Sequence, residues 1–336
     1  MKPPESSLTV GGQAVLEGVM MRSPHALAVA VRRPDGSVLL KDEPYTSLGE
    51  RYPWLQRPFL RGPVILMEAL VTGVKALTFS AQAALKEEEE DEPLGWWSLL
   101  LTLGGAFVLA FILFGFLPHW LSGAVGALTG HPLTPADFAF HVIDGLIKLA
   151  FILLYIWGIS WFRDIRRVFQ YHGAEHKTIC AFEAGDDLNV AQCRRHPTCH
   201  PRCGTSFILV VLLVSLLLFT VFFPLFPPLT RTGLGNNFLQ VLIKVGLMLP
   251  IASMSYEIIR WGGKHLQHPL ARVLLWPGLA TQRLTALEPD DSQLEVALEA
   301  LKAVLAREQG TVASGQLSVR EGPTVRATEE QLATGH

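Results

Sequence analysis

Long apolar segments alternate with short polar segments through the middle of this chain. Four of them reach the length of about 20 mostly apolar residues that a helix needs to cross a bilayer. They cover residues 95–117, 138–162, 206–227 and 238–261. The pattern predicts a mainly α-helical, polytopic membrane protein, with about four transmembrane helices in a region spanning residues 93–262.

The first 62 residues have a different pattern. Two β-prone runs, residues 26–33 and 37–41, flank Pro34-Asp35-Gly36, a sequence typical of tight turns. We therefore expect a small N-terminal β-hairpin region that faces water. Residues 11–22 are punctuated by glycines, which suits a loop or a short strand with close backbone contacts.

A less apolar segment occupies residues 63–92. It begins at Pro63, a favourable first residue for a helix, and polar residues such as Glu68 and Lys75 interrupt its apolar positions. We expect an amphipathic helix to about residue 85, on the membrane surface or against the helix bundle. An acidic linker follows it.

The chain becomes polar again after the last apolar segment. Residues 263–308 predict a C-terminal helical region, in which residues 276–285 form a turn and connector. An aspartate then caps a helix over residues 292–308, where leucines recur at helical spacing. Residues 309–336 are polar, which predicts a disordered tail.

Positive charge is distributed unequally among the connections. Residues 118–137 contain no Lys or Arg and residues 230–237 contain only Arg231, whereas residues 163–202 contain seven. Short cytoplasmic connections of membrane proteins are rich in Lys and Arg. We therefore expect residues 163–205 to form a cytoplasmic loop, with both termini on the same side, and the N-terminus lacks the apolar core of a signal peptide.

Composition narrows the possible partners. Of the 336 residues 49% are hydrophobic and 17% charged, and the formal net charge is −2. With no long basic block, this argues against nucleic acid and for a lipid bilayer as the environment. The predicted topology places all the cysteines in a reducing compartment, so we expect free thiols or metal ligands rather than disulfides.

The central polar stretch contains the pattern H-x-x-E-H, formed by His172, Glu175 and His176. In a helix the two histidines lie one turn apart on one face, so both can bind one divalent metal ion, with zinc favoured. Glu175 would lie beside the ion and act as a general base toward water. This is the arrangement of inverzincin metallopeptidases. The alternative is an ordinary polar helix start at the membrane surface.

A catalytic zinc ion needs a third protein ligand. Glu257 is the favoured candidate, because it lies near the predicted cytoplasmic end of the fourth apolar segment, at the depth of the H-x-x-E-H pattern. His200 is next, and Cys203 and Glu183 are the other candidates. The alternative role for Glu257 is an ion pair with Arg260 or with the arginines of the central loop.

Four further polar residues lie in distinctive stretches. Arg202 precedes the third apolar segment, where a helix N-terminus can hold an anionic group or the arginine can simply mark the membrane boundary. Gln13, Glu17 and Arg22 belong to the glycine-rich N-terminal stretch and can close over the central loop. We expect structural rather than catalytic roles for these three.

Two apolar segments carry charged residues. Asp144 and Lys244 each lie about six residues from the outer end of their segment, and therefore at matching depth. Because a charge in lipid needs a partner, we expect Asp144 to pair with Lys244 or with Lys148, its neighbour one helical turn further on.

Five stretches in this order carry a family resemblance: GGQAVLEGVMMRSP (11–24), YHGAEHKT (171–178), HPRCGTSF (200–207), YEIIR (256–260) and PGLATQRLT followed by EPDD (277–291). Over about residues 8–308 the chain resembles the YqhQ-like family of bacterial membrane proteins, the DUF1385 domain. The resemblance implies a multipass protein of the bacterial inner membrane. It also implies a metal-dependent enzyme, since family members are often described in that way.

Two functions of different classes follow. The first is a metal-dependent hydrolase at the cytoplasmic membrane face, in which His172 and His176 bind zinc and Glu175 is the general base. The second is a non-enzymatic membrane scaffold or assembly and insertion factor, in which the same residues lock a cytoplasmic domain onto the bundle. Convergence of the two histidines and a third donor on one point distinguishes the hydrolase.

Overall fold

The computed structural model describes residues 8–84, 96–131, 133–134, 137–222, 225, 233–310 and 317–320. Its strands are β1 (Gly11–Val15), β2 (Gly18–Arg22), β3 (Ala26–Arg32), β4 (Val38–Pro44) and β5 (Leu317–Arg320). Each strand pairs antiparallel with the next, so the described strands form one sheet in the order β1-β2-β3-β4-β5.

The sheet is larger than the predicted hairpin. That hairpin is present as β3 and β4, but the glycine-rich stretch before it forms a second hairpin, β1–β2. Its turn contains Glu17 in the left-handed backbone region, with φ 49°. The next residue is Gly18, where any side chain would overlap the carbonyl oxygen of Ala30 on β3.

β5 corrects the prediction of a disordered tail over residues 309–336. Four residues of that tail, Leu317–Arg320, pair with β4. The outer edge of β4 presents unpaired backbone groups to which any extended segment can add, and composition alone does not reveal such pairing. Apart from residues 309–310, the rest of the predicted tail lies outside the described residues.

The helices follow the four N-terminal strands. They are α1 (Leu48–Arg51), α2 (Arg61–Ala84), α3 (Trp96–Phe111), α4 (Leu117–Leu128), α5 (Phe138–Ile159), α6 (Arg163–Ala184), α7 (Val190–Cys193), α8 (Gly204–Phe222), α9 (Gly233–Lys264), α10 (Pro269–Thr285) and α11 (Asp291–Glu308). A 3-10 turn at Pro53–Gln56 follows α1, and a π-helical turn at Ile112–Phe116 joins α3 to α4.

Within the described ranges, four helical stretches are long and apolar enough to cross a membrane: Arg61–Ala84, Leu100–Leu128, Phe138–Ile159 and Leu242–Lys264. A shorter apolar helix covers Ser206–Phe222. A mainly α-helical protein with membrane-spanning helices and a small N-terminal antiparallel sheet is therefore confirmed. The set of spans differs from the prediction, because α2 meets the length and hydropathy requirements and the described part of α8 is short.

α2 has two different sides. On one side Gly62 packs against Tyr256 of α9, and Gly73 packs against Gln13 of β1. On the other side it exposes large apolar residues, namely Leu66, Met67, Leu70, Val71, Val74 and Leu77. These contacts place α2 against both the bundle and the sheet, and its position relative to a bilayer stays a prediction.

Two helices extend through residues that the sequence predicted as connections. The first apolar helix continues past residue 117 to Leu128, and Pro118 lies just after the π-helical turn Ile112–Phe116, an irregularity of the kind found where a helix is interrupted locally. α10 includes Pro277 and covers the predicted turn at 276–285. The next residue, Gly278, lets α10 approach α8 closely, since a Cβ there would lie 2.6 Å from Ser206.

The sheet is buried on both faces. Alternate residues of β3 point to opposite sides: Ala28 packs with α6 and α11, and Val29 packs with Ala76 of α2. A strand covered on both faces reads as a continuous apolar run, as residues 26–31 do. This layering places α6, which carries the H-x-x-E-H pattern, against β1 and β2 of the sheet and against the helices α10 and α11.

The charged residues of α5 form an ion pair within the helix. The Lys148 ammonium lies 2.6 Å from a carboxylate oxygen of Asp144, so one of the two predicted pairings is confirmed. Lys244 of α9 lies over the ring of Phe219, 5.6 Å from its centroid.

Candidate metal centre

His172 and His176 lie on one face of α6. The helix is continuous from Arg163 and ends at Gly185, whose left-handed backbone (φ 76°) terminates it. The two imidazole rings are 4.4 Å apart between centroids. The helical premise behind the H-x-x-E-H prediction therefore holds.

Cys203 completes a cluster of three donors with these histidines. Its Sγ lies 3.2 Å from Nε2 of His172, and one ligand atom from each of the three residues lies within 4.8 Å of the others. Zinc bonds of about 2.0–2.3 Å in a tetrahedron would put such donors roughly 3–4 Å apart. The cluster is therefore close to the dimensions of a zinc site.

Backbone carbonyl groups fix the orientation of both rings. Nδ1 of His172 lies 2.7 Å from the carbonyl oxygen of Thr285, and Nδ1 of His176 contacts the carbonyl oxygen of Thr198. A carbonyl can only accept, so each Nδ1 carries the proton and each Nε2 keeps its lone pair. Metal-binding histidines are held in this way by their outer contacts.

Gln282 clamps the loop that carries Cys203. Its amide accepts from the backbone N–H of His200 at 2.8 Å, and donates to the His200 carbonyl at 2.9 Å and to the Ser206 hydroxyl at 2.7 Å. No sequence pattern predicted a role for Gln282 or Thr285. The sequence signal for both residues was their position in the stretch PGLATQRLT (277–285). The side-chain amide of Gln282 is fully buried and therefore needs hydrogen-bond partners.

Glu175 lies buried beside this cluster. The backbone N–H of Gly12 on β1 hydrogen-bonds its carboxylate, and a Cβ at Gly12 would lie 2.8 Å from Cγ of Glu175. Burial raises the pKa of Glu175, while His172, His200 and the Gly12 hydrogen bond act in the opposite direction. The site thus holds a carboxyl group with increased proton affinity next to the donors.

Glu257, the favoured third ligand, lies elsewhere. It forms an ion pair with Arg61 at the start of α2, with 2.7 Å between Oε1 and Nε. The sequence alternative for Glu257 was an ion pair with Arg260 or a loop arginine; an ion pair is present, but its partner is Arg61. Arg61 is distant in sequence, so no local pattern could identify it.

His200 and Glu183 also lie outside the three-donor cluster. Nε2 of His200 is 3.3 Å from a carboxylate oxygen of Glu183, which also pairs with Arg202. Burial lowers the pKa of His200, so its ring favours the neutral form. Among the sequence candidates for the third ligand, the fold brings Cys203 to the two histidines.

The polar residues of the N-terminal motif make contacts between elements. Gln13 packs against α2, and Arg22 donates a hydrogen bond to the Tyr45 hydroxyl at 3.1 Å. Glu17 pairs with Arg167 of α6. The contacts of Gln13 and Glu17 join the sheet to α2 and α6, and the structural roles expected for the three residues stay a prediction.

Comparison with known proteins identifies the family. The family described as "Protein of unknown function (DUF1385)" matches residues 57–307, which include all three cluster residues. The "Uncharacterized protein YqhQ" of Bacillus subtilis (strain 168) is 34% identical over 310 residues, covering 89% of this chain and 92% of that protein. No solved structure matches the chain. By both the extent of the family match and the identity to this relative, the chain belongs to the DUF1385 family.

Proposed function

We propose that this protein is a metal-dependent hydrolase with its site at a membrane face. The observation that carries the proposal is the convergence of His172, His176 and Cys203. Two imidazole nitrogens and one thiolate form a donor set that suits zinc and leaves a fourth position for water or substrate. A divalent ion held there would supply Lewis acidity.

The three residues fit such an ion chemically as well as by distance. The two carbonyl contacts leave the Nε2 lone pairs of the histidines available for the ion. Cys203 is buried next to them and can bind as a thiolate. Since both rings are already oriented, binding would require little rearrangement of α6.

Glu175 is the proposed general base. Its carboxylate would accept a proton from the attacking water and return it to the leaving group. Burial raises the pKa of Glu175, which moves it toward the range useful for this exchange, and Gly12 fixes its orientation. The reaction class is hydrolysis of an ester or amide bond.

We place this site on the cytoplasmic side of a bacterial inner membrane, with both termini on that side. The support is the excess of Lys and Arg between the second and third apolar segments of the sequence. Reporter fusions at Gly130 and after Glu308 test it, with opposite sides expected. Equal reporter signals would contradict this orientation.

Elemental analysis of the full chain, purified in detergent without chelator, tests the metal centre. We expect one equivalent of a divalent metal in the wild type and its loss in His172→Ala, His176→Ala and Cys203→Ala. Cys199→Ala is the matched control, because Cys199 lies in the same loop outside the cluster and should leave the metal content unchanged.

Glu175→Gln separates catalysis from metal binding. Because Gln keeps the shape but cannot accept the proton, this variant should retain the metal and lose hydrolysis. A folded wild type that contains no metal would remove the hydrolase from consideration and favour a scaffold or assembly function.

A further inference from the structure

A cavity of about 750 Å³ with mixed polar and apolar walls lies between the sheet, the α1–α2 region and the end of α9. This volume is in the range of ligand-binding sites in proteins. Gly11 of β1, Glu68 of α2 and Tyr256 of α9 are among the residues that line it. Its size and mixed walls distinguish it from the small apolar pocket between α5 and α8.

Positive charge predominates on the cavity walls. The lining cations are Arg22, Arg61, Arg202, Arg260 and Lys264, against the carboxylates Glu50 and Glu68. Each of the first three has a carboxylate partner, in Glu68, Glu257 and Glu183 respectively. In the part of the chain that the structure describes, no carboxylate lies within 4.0 Å of Arg260 or Lys264. The end of α9 therefore contributes two uncompensated cations.

Apolar surface adjoins this charged cavity. Val64, Ile65 and Ile259 form part of its lining. Trp54, next to the lining residue Leu55, and Phe59, near the start of α2, are each 58% exposed. Aromatic residues of this kind are typical of the membrane–water interface. Cationic walls beside exposed apolar side chains match a ligand that is itself amphipathic.

We propose that this cavity binds the anionic phosphate headgroup of a membrane lipid, with Arg260 and Lys264 as its principal contacts. Arginine and lysine bind phosphate oxygens through strong, charge-assisted hydrogen bonds. The acyl chains would lie along the exposed apolar side of α2.

The cavity ends next to the metal centre. Gly11, which lines the cavity, directly precedes Gly12, which contacts Glu175. Arg202, which also lines the cavity, directly precedes the candidate ligand Cys203. Because successive residues of a strand face opposite sides of a sheet, a bound headgroup would lie across β1 from Glu175 and one residue along the chain from Cys203. Only this link to hydrolysis rests on the proposed function, because lipid binding requires the cavity and its cations but no metal.

Binding measurements on the detergent-purified full chain test the proposal. The probes are short-chain phosphatidylglycerol, phosphatidylcholine with the same chains, and glycerol 3-phosphate. We expect phosphatidylglycerol to bind at least about tenfold more tightly than either of the others. Arg260→Gln with Lys264→Gln should weaken its binding by about tenfold or more, since each contact is a hydrogen bond to a charged group.

The matched control is Arg283→Gln with Lys302→Gln, which removes the same charge from exposed positions outside the cavity and should not change affinity. Gly11→Leu is a steric variant without charge change. A Cβ there meets no described atom within 4 Å, so the side chain would enter open space and should also weaken binding. Cys203→Ala should bind the lipid normally, even if the wild type proves to be metal-free.

Three results would overturn the proposal. The first is equal binding of phosphatidylcholine and phosphatidylglycerol. The second is binding of glycerol 3-phosphate as tight as that of the lipid, which would indicate a soluble phosphate ligand. The third is unchanged lipid affinity in the Arg260/Lys264 double variant. The comparison of probes uses only wild-type protein, so the test does not depend on the stability of any variant.

Discussion

The carboxylate of Glu17 forms a bidentate ion pair with the guanidinium of Arg167, with both N–O distances 2.5 Å. Glu17 occupies the β1–β2 turn, and Arg167 lies on α6 just before the H-x-x-E-H pattern. The Tyr171 hydroxyl donates to the same carboxylate at 3.3 Å. This pair therefore fixes the N-terminal sheet to the helix that carries the candidate metal ligands.

Arg167→Met should destabilise the protein by about 1–3 kcal/mol. The side chains of Arg167 and Glu17 are 34% and 30% exposed, which places the pair between the small value of surface pairs and the larger cost of breaking buried ones. Arg194→Met is the matched control, because its pair with Asp291 is 59% and 56% exposed and should contribute less than about 1 kcal/mol. Unfolding measurements that give equal losses would contradict this ranking.

Gly173→Ala should disrupt the metal centre, although Gly173 is not a ligand. A Cβ at this position of α6 would overlap the carbonyl oxygen of Leu287. The chain after α10 would have to move, and Thr285, which holds His172, lies two residues before Leu287. We expect lower stability and a lower metal content by elemental analysis.

Gly158→Ala provides the comparison for this effect. Gly158 is also helical, but a Cβ there meets no described atom within 4 Å. Alanine favours a helix by about 1 kcal/mol over glycine, so this variant should be as stable as the wild type or more so. Similar losses in both variants would show that the close contact at Gly173 is not the cause.

Asp144→Asn should destabilise the protein by leaving Lys148 without its partner in an apolar helix. The second substitution Lys148→Met should recover part of that loss, because removing both charges avoids an uncompensated one. Lys244→Met in the same background serves as the control and should recover less. Strictly additive losses for Asp144 and Lys148 in thermal unfolding would contradict the pairing.

The membrane helices and the core hairpin follow from the sequence because each depends on local periodicity. Residues 138–159 are apolar over a full span, and Pro34-Asp35-Gly36 requires a turn between β-prone runs. The prediction fails where tertiary packing outweighs such a local signal. Pro277 is a strong local signal for a helix end, yet close packing of Gly278 on α8 keeps α10 continuous.

Only two of the three candidate metal ligands could be predicted from local sequence spacing. His172 and His176 follow from helical spacing, whereas the third donor depends on how a loop folds back. Membrane depth favoured Glu257, but a tertiary ion pair with Arg61 holds it elsewhere. Cys203 reaches the histidines because Gln282 clamps its loop from a distant helix.

The buried carboxyl of Glu175 should make the stability of the metal-free protein depend on pH. Its pKa is raised by burial above the value of 4.5 for a free carboxyl. A group that holds its proton more tightly in the folded state stabilises that state fully below the unfolded pKa. This stabilisation is lost as the pH rises through the raised folded pKa, where the buried carboxyl must ionise.

Glu175→Gln should remove this dependence. Gln cannot ionise, and its amide oxygen can still accept the hydrogen bond from Gly12. With a chelator present, the melting temperature of the wild type should fall more steeply than that of the variant as the pH rises from about 4.5. At the upper end of this range the variant should be as stable as the wild type or more so. Glu43→Gln, which removes a carboxylate of β4 that is 41% exposed, controls for the loss of one charge and should follow the wild-type curve. Parallel curves for wild type and Glu175→Gln would show that Glu175 does not titrate in the folded protein over this range.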